Sequence, residues 1–321
     1  MRVFKKILNA EDKKILAALR KEIAALEPAA RPLAGHILEA GGKRIRPLLT
    51  VLTARSFGCH DPIIYALAGG IEFLHGATLL HDDVVDGAGI RRGCPSAHAV
   101  FGASRAILAG DVLLAACMRI MLRSRKFGIL ESVSLAASKT AAGEVEEINN
   151  LRNPSLDYAG YLEIITNKTA WLIRCACEIG AMQAEASPGQ IDAASGFGLE
   201  LGIAFQLVDD ALDIAPESLT GKPSGGDLRE GKITPLLHFY LETLSPGEQT
   251  AFLHAFTQAS FKEEDLSAIL GRMRACGCAE RLRAMAGEHL AKAEAFLASF
   301  PPGEEHDALL DLLGYIKDRE R

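Results

Sequence analysis

Two short acidic runs decide most of what this chain can be. Asp82-Asp83-Val84-Val85-Asp86 and Asp209-Asp210-Ala211-Leu212-Asp213 each follow a long apolar stretch. In each run the first and last Asp stand at i and i+4, which on a helix puts both carboxylates on one face, about one turn apart. Like charges at that spacing repel and weaken the helix, so a compensating positive charge is expected. The flanks are apolar: Ala77, Thr78, Leu79 and Leu80 precede the first run, and Ile203, Ala204, Phe205, Leu207 and Val208 precede the second. Acids that adjoin apolar helix faces suit the rim of a cleft. Either run alone reads as a solvated acidic face. The two together point to hard divalent cations, of which Mg²⁺ prefers oxygen ligands and is commonly held by one or two carboxylates plus substrate phosphates.

The rest of the chain has helical period. Ile15, Leu16, Leu19, Ile23 and Leu26 form an apolar stripe at three- and four-residue steps. Pro28 and Pro32 end it, and Pro47 opens a further helix after the Gly41-Gly42 loop. Helices are expected over 62–86, 96–122, 129–150, 155–185, 190–215, 233–241 and 246–258, with more toward the C-terminus. Aromatics are sparse, and Ala and Leu, which keep their side-chain freedom in helices, dominate the apolar set. No segment alternates between hairpin turns, so strands are not expected. The reading is an all-α single domain over 1–321, since both halves carry parts of what looks like one site.

Composition narrows the function. A formal net charge of −6 provides no global basic field for nucleic acid. Seven cysteines, with no finger spacing, read as reduced cytoplasmic thiols, and this includes Cys175-Ala-Cys177 and Cys276-Gly-Cys278. The N-terminal residues lack the apolar core of a signal peptide, and the longest apolar stretches are broken by Glu72 and Glu200, so no transmembrane segment is expected.

Cations recur beside the acids. Gly41-Gly42-Lys43-Arg44-Ile45-Arg46-Pro47 joins a flexible loop to three of them. Arg91-Arg92-Gly93 follows the first run, Lys168-Thr169 lies in a helical stretch, and Gly221-Lys222 and Gly231-Lys232 flank Gly225-Gly226-Asp227. Lys and Arg offer charge-assisted bonds to phosphate. No Gly-x-x-x-x-Gly-Lys-Ser/Thr loop occurs, which disfavours an ordinary P-loop enzyme. His75, seven residues before Asp82, shares its face and is read as a substrate contact; His81 is left as a supporting residue.

Taken in order, these segments resemble the trans-isoprenyl diphosphate synthases, or polyprenyl synthetases. The resemblance runs from Gly-Gly-Lys-Arg-Ile-Arg-Pro at 41–47, through 75–86, 91–93, Gly110-Asp111, 168–169 and 205–213, to 221–234. It implies a helical bundle around a deep cavity, usually a homodimer, with three Mg²⁺ ions between the allylic diphosphate and the two Asp runs. Asp82, Asp86 and Asp209 would be the direct ligands, supported by Asp83, Asp210 and Asp213. Arg91, Lys168 and Lys222, with Lys232 nearby, would bind the allylic diphosphate. Lys43, Arg46, His75 and Arg92 would bind isopentenyl diphosphate, and Gln206 and Thr169 would face the reacting carbons. One departure stands out: Glu147 occupies a position where the family often has Gln.

The same resemblance makes the residues before Asp82 the wall along which product grows. Thr78 lies one turn deeper, Ala77 beside it, and Leu74 a further turn away. Both near positions are small where an aromatic would stop growth early, and the first run carries no insertion. A medium- or long-chain product is expected. A short-chain farnesyl or geranylgeranyl synthase is the alternative, and Met118, Met121 or Phe101 on another helix would then form the floor. A non-catalytic subunit of a heteromeric synthase should lack the Asp runs. Product release would involve at most peripheral membrane contact.

Overall fold

The computed structural model describes residues 2–39, 41–91, 93–220 and 223–319. It is built almost wholly of helices: α1 (Arg2–Ala24), α2 (Arg31–Glu39), α3 (Ile45–Ser56), α4 (Ile63–Val85), α5 (Ala97–Phe101), α6 (Ala103–Met121), α7 (Phe127–Asn149), α8 (Tyr158–Ile165), α9 (Trp171–Gln183) and α10 (Pro188–Asp213). The C-terminal part adds α11 (Glu217–Thr220), α12 (Gly226–Glu230), α13 (Pro235–Leu241), α14 (Pro246–Thr257), α15 (Glu263–Ala275), α16 (Cys278–Leu297) and α17 (Glu304–Lys317).

The two helices that end in the Asp runs have clear local causes. Asp61 Oδ1 accepts from the Ile63 backbone N–H at 2.9 Å and starts α4. Ser187, Pro188 and Gln190 form a capping box with proline in the first turn and start α10. Both helices are long and apolar enough to cross a membrane, yet 67% of the relevant stretch of α4 and 61% of that of α10 are buried within the protein. They behave as core helices. α4 packs on α3 and α6, α10 on α9 and α16, and α7 on α9. One continuous apolar core runs from Phe4 in α1 to Ile316 in α17.

Three boundaries differ from the sequence expectation. The 96–122 segment is broken at Gly102, whose φ of 89° no side-chain-bearing residue adopts comfortably. The 155–185 segment begins only at Tyr158, capped by Asp157, which accepts from the Gly160 N–H at 2.9 Å. It is also interrupted by a π-helical turn at Thr166–Ala170. Strands were not expected, but Ile90–Arg91 and Cys94–Pro95 form a two-residue antiparallel ladder across the tight turn after the first Asp run. Two residues per strand are too few to show alternation.

Candidate active site

α4 and α10 deliver the Asp runs to one cleft, and the π turn stands between them. Gly143 in α7 makes the close approach possible: a Cβ there would fall on the backbone of Asn167 and Lys168. The wide turn presents Lys168 and Thr169 in succession to cavities on either side. One cavity, about 1120 Å³ with its mouth, is lined by Asp209, Asp210, Asp213, Asp227, Lys232, Glu147, Tyr161 and Gln206. The other, about 950 Å³ with its mouth, is lined by Asp82, Glu144, Thr78, Leu79, Val85, Val145, Ile148 and Leu172. Lys168 and Thr169 belong to both.

In the first run, Asp82 and Asp83 part company. Asp82 faces the cleft. Burial first, and Glu144 second, push its carboxyl up to about 7 against the pull of Lys168. Asp86, at the helix end, is raised chiefly by burial and held back by Lys232 and Lys168. Asp83 is fully buried and accepts from Arg91 Nε at 2.5 Å. This pair lines a small separate recess with His36 and Ser96. Arg91 still lies within electrostatic range of Asp82. Arg92 and Lys222 lie outside the described residues.

The second run is tied down more fully. Asp210 accepts from Tyr161 Oη at 2.6 Å and Gln206 Nε2 at 2.7 Å, while Gln206 Oε1 accepts from Thr169 Oγ1 at 2.8 Å. Asp213 accepts from the backbone N–H groups of Gly226 and Asp227, at 3.0 and 3.2 Å. Burial outweighs these bonds and raises Asp210 to about 7 and Asp213 to about 6. It also raises Asp227 well above the usual carboxylate range, with Asp213 and Asp210 adding to the effect. Asp209 is half-exposed and pairs with Arg319 at 2.9 Å.

The lysines compensate part of this charge. Lys168 Nζ contacts Glu147 and, at 2.8 Å, Glu144. Lys232 Nζ lies 2.7 Å from Glu230 and 3.9 Å from Glu147. Burial pulls both ammonium groups toward neutrality, but Glu147 leads the carboxylates that more than reverse this and keep both charged.

A third cavity, about 660 Å³ with its mouth, joins the loop at 42–46 to the cleft. Lys43, Arg44, Arg46, Glu72, His75, Phe205 and Arg319 line it. Arg46 Nη1 stands 3.3 Å from His75 Nε2. Lys43 Nζ sits 5.0 Å from the centre of the Tyr315 ring, and the Arg319 guanidinium 4.9 Å from that of Phe205. His81 lines the cavity beside Asp82 and donates from Nε2 to the Ile107 carbonyl at 3.0 Å.

Of the product-wall positions, Thr78 lines the cavity beside Asp82, whereas Ala77 and Leu74 are 3% and 2% exposed within the core. Met121 packs beside Gly70, and Phe101 against the His36 ring.

The donor set at the rim suits a hard divalent cation, being carboxylate oxygens with no thiol among them. Among the described residues, no three His, Cys, Asp or Glu side chains converge on one point. A cation would therefore complete its shell from water and substrate oxygens, as Mg²⁺ does at phosphate sites.

A family model described as polyprenyl synthetase matches residues 27–273. The chain belongs to the polyprenyl synthetase family. It is 37% identical over 288 residues to octaprenyl diphosphate synthase of Escherichia coli K12, covering 89% of this chain and 88% of that one. It superposes with a TM-score of 0.93 on a polyprenyl synthase of Caulobacter crescentus complexed with calcium and isoprenyl diphosphate, at 35% identity over 99% of this chain and 98% of that one. The TM-score is also 0.93 against a decaprenyl diphosphate synthase of Rhodobacter capsulatus, at 32% identity and 99% coverage of both. The all-α polyprenyl synthetase fold is thus the fold of this chain.

Four side chains of this polyprenyl synthetase site carried no functional assignment in the sequence reading: Tyr161, Glu144, Glu230 and Arg319. Tyr161 reads as core, and Arg319 stands in the charged C-terminal residues with nothing to connect it to Asp209. Asp227 was visible only as part of a glycine-rich stretch.

Proposed function

We propose that this chain condenses isopentenyl diphosphate with an allylic prenyl diphosphate, head to tail and in trans, to make a polyprenyl diphosphate of medium or long chain. The observation that carries this reading is the meeting at Lys168–Thr169 of the two cavities that hold the carboxylate runs, with the cation-lined loop cavity joined to one through Arg46 and His75 and to the other through Arg319. One anionic group needs the carboxylates and the cations they hold. A second needs Lys43, Arg46 and His75. The growing hydrocarbon needs the wall of Thr78, Leu79, Val145, Ile148 and Leu172.

Divalent cations, Mg²⁺ in this reading and three of them in the loaded site, would neutralise charge developing on the leaving diphosphate. Asp82, Asp86 and Asp209 would hold them, with Asp210 and Asp213 in support. Lys168 and Lys232 supply further positive charge from the protein. The allylic C–O bond breaks with its electron pair going to the diphosphate. The isopentenyl double bond then supplies the pair for the new C–C bond, and loss of one proton to the departing pyrophosphate restores an alkene. Thr169 and Gln206, linked to each other and through Gln206 to Asp210, fix the wall beside the reacting carbons. Water would trap the cation as an alcohol, and keeping it out requires covering the open side of this wall, where Val145 and Ile148 are 56% and 42% exposed.

The chain is read here as one domain acting in the cytoplasm as a homodimer, with peripheral membrane contact for product release. The outward faces of α6 and α7 support the dimer: Ile107, Leu108, Leu135 and Phe127 are exposed there, Phe127 by 88%. Light scattering of the purified protein checks this, since a monomer at micromolar concentration rules it out. The decisive assay for function incubates the protein with Mg²⁺, labelled isopentenyl diphosphate and farnesyl diphosphate, and separates the products. Product beyond twenty carbons is expected; no elongation, or arrest at fifteen or twenty carbons, overturns the reading.

A further inference from the structure

We propose that Glu147 is an internal counter-ion for the diphosphate-binding lysines: its carboxylate takes the anion position between Lys168 and Lys232 when substrate is absent and weakens the hold on pyrophosphate once it has formed. This rests on the prenyl-transfer reading above.

Among the described residues, Glu147 is the carboxylate within 4.0 Å of both ammonium groups: it contacts Lys168 and lies 3.9 Å from Lys232. Each lysine also has a carboxylate of its own, Glu144 at 2.8 Å from Lys168 and Glu230 at 2.7 Å from Lys232. Glu147 is therefore not the sole carboxylate holding either lysine. What it adds is one negative charge at the point the two lysines share, on the cleft side.

A carboxylate oxygen and a phosphate oxygen accept the same charge-assisted bonds from an ammonium group. An incoming diphosphate must displace Glu147 or sit beside it. Either event lowers affinity, because a contact already made has to be given up or a like charge approached. The penalty falls on substrate and on pyrophosphate alike, so it loosens binding without selecting the transition state. For a chain-elongating enzyme that is useful. Pyrophosphate must leave after every condensation, and a site with two lysines and divalent cations would otherwise retain it.

The test is calorimetric titration of inorganic pyrophosphate with Mg²⁺ into wild type, Glu147→Gln and Glu147→Asp. Gln keeps the shape and removes the charge; Asp keeps the charge. Glu147→Gln is expected to bind pyrophosphate about tenfold more tightly, the equivalent of ~1.4 kcal/mol. In turnover, KM for the allylic diphosphate and kcat should fall together in Glu147→Gln as pyrophosphate release slows. Glu147→Asp, which keeps the charge but draws it back by one methylene, should fall between wild type and Glu147→Gln in both measurements. Weaker pyrophosphate binding in Glu147→Gln would mean that Glu147 helps hold the cations, and overturns the proposal. So does unchanged binding. Should wild type itself bind no pyrophosphate with Mg²⁺, the prenyl-transfer reading falls first and takes this proposal with it.

Discussion

Asp82 and Asp83 are neighbours in sequence but do different things. One faces the cleft with a carboxyl raised to about 7, and the other is sealed against Arg91. The same replacement should therefore have unlike effects at the two places. Asp82→Ala removes a cation ligand and is expected to cut turnover by orders of magnitude with little change in folding. Asp209→Ala should do the same in the opposite run. Asp83→Ala strands the buried side of Arg91 and should cost about 3 kcal/mol of stability, the usual scale for breaking a buried pair. Steady-state rates beside urea unfolding of the three variants separate the cases. Near-normal turnover of Asp82→Ala or Asp209→Ala at subsaturating Mg²⁺ would sink the ligand assignment. Product length divides likewise. Thr78→Phe projects a ring into the cavity and should shorten the product by several isoprene units. Ala77→Tyr must first displace core neighbours, at a cost of about 1–3 kcal/mol. If Thr78→Phe leaves the product distribution unchanged, the growing chain does not pass that wall.

At the scale of elements, the joint between α7 and the π turn carries the site. Gly143→Ala would place a methyl on the Lys168 backbone and should part the two segments. The expected result is a loss of about 1–3 kcal/mol with a far larger drop in activity; a fully active, fully stable variant would show the contact to be slack. This joint was beyond the reach of sequence reading. α4, α7 and α10 were legible because long apolar runs at helical period end in charge, and the i, i+4 carboxylates named the face. The π turn was not, because the one-residue shift of period it makes within 155–185 leaves the apolar pattern on either side helical in its own right. Gly102 is a single glycine between two apolar segments, and only the backbone reveals that it takes a φ of 89°. Tyr161 and Arg319 reach the site through packing that joins segments far apart in the chain. Positional matching to the family brought Thr169 and Gln206 into view, and the hydrogen bond between them follows from the fold.

The whole molecule encloses more negative charge than its lysines offset. Asp82 and Asp210 are each raised to about 7, and Asp213 to about 6, with burial the first cause in all three. In the unfolded chain these groups titrate near 3.8. Between about pH 4 and pH 7 the folded state thus binds more protons than the unfolded one, and stability falls as pH rises. Cation binding opposes this, because it favours the ionised form. Thermal unfolding should therefore show Mg²⁺ with pyrophosphate raising Tm by several degrees at pH 8 and by little at pH 5. An equal rise at both values would disconnect these carboxyls from cation binding.

The π turn is also where the rod takes up a spare residue. Each residue turns an α-helix by about 100°, and a wider turn rotates each residue by less, so the extra residue is absorbed and α9 keeps its bearing relative to α8. Removing one residue from 166–170 would give a smoother, better hydrogen-bonded rod. Tyr161 would stay on Asp210, and Cys175 and Ile179 would stay in the core. What would be lost is the widened turn that offers Lys168 and Thr169 together to both cavities. A deletion that improves this helix as a helix should disable it as a hinge pin between two acids, and the irregularity belongs to the activity as much as any side chain does.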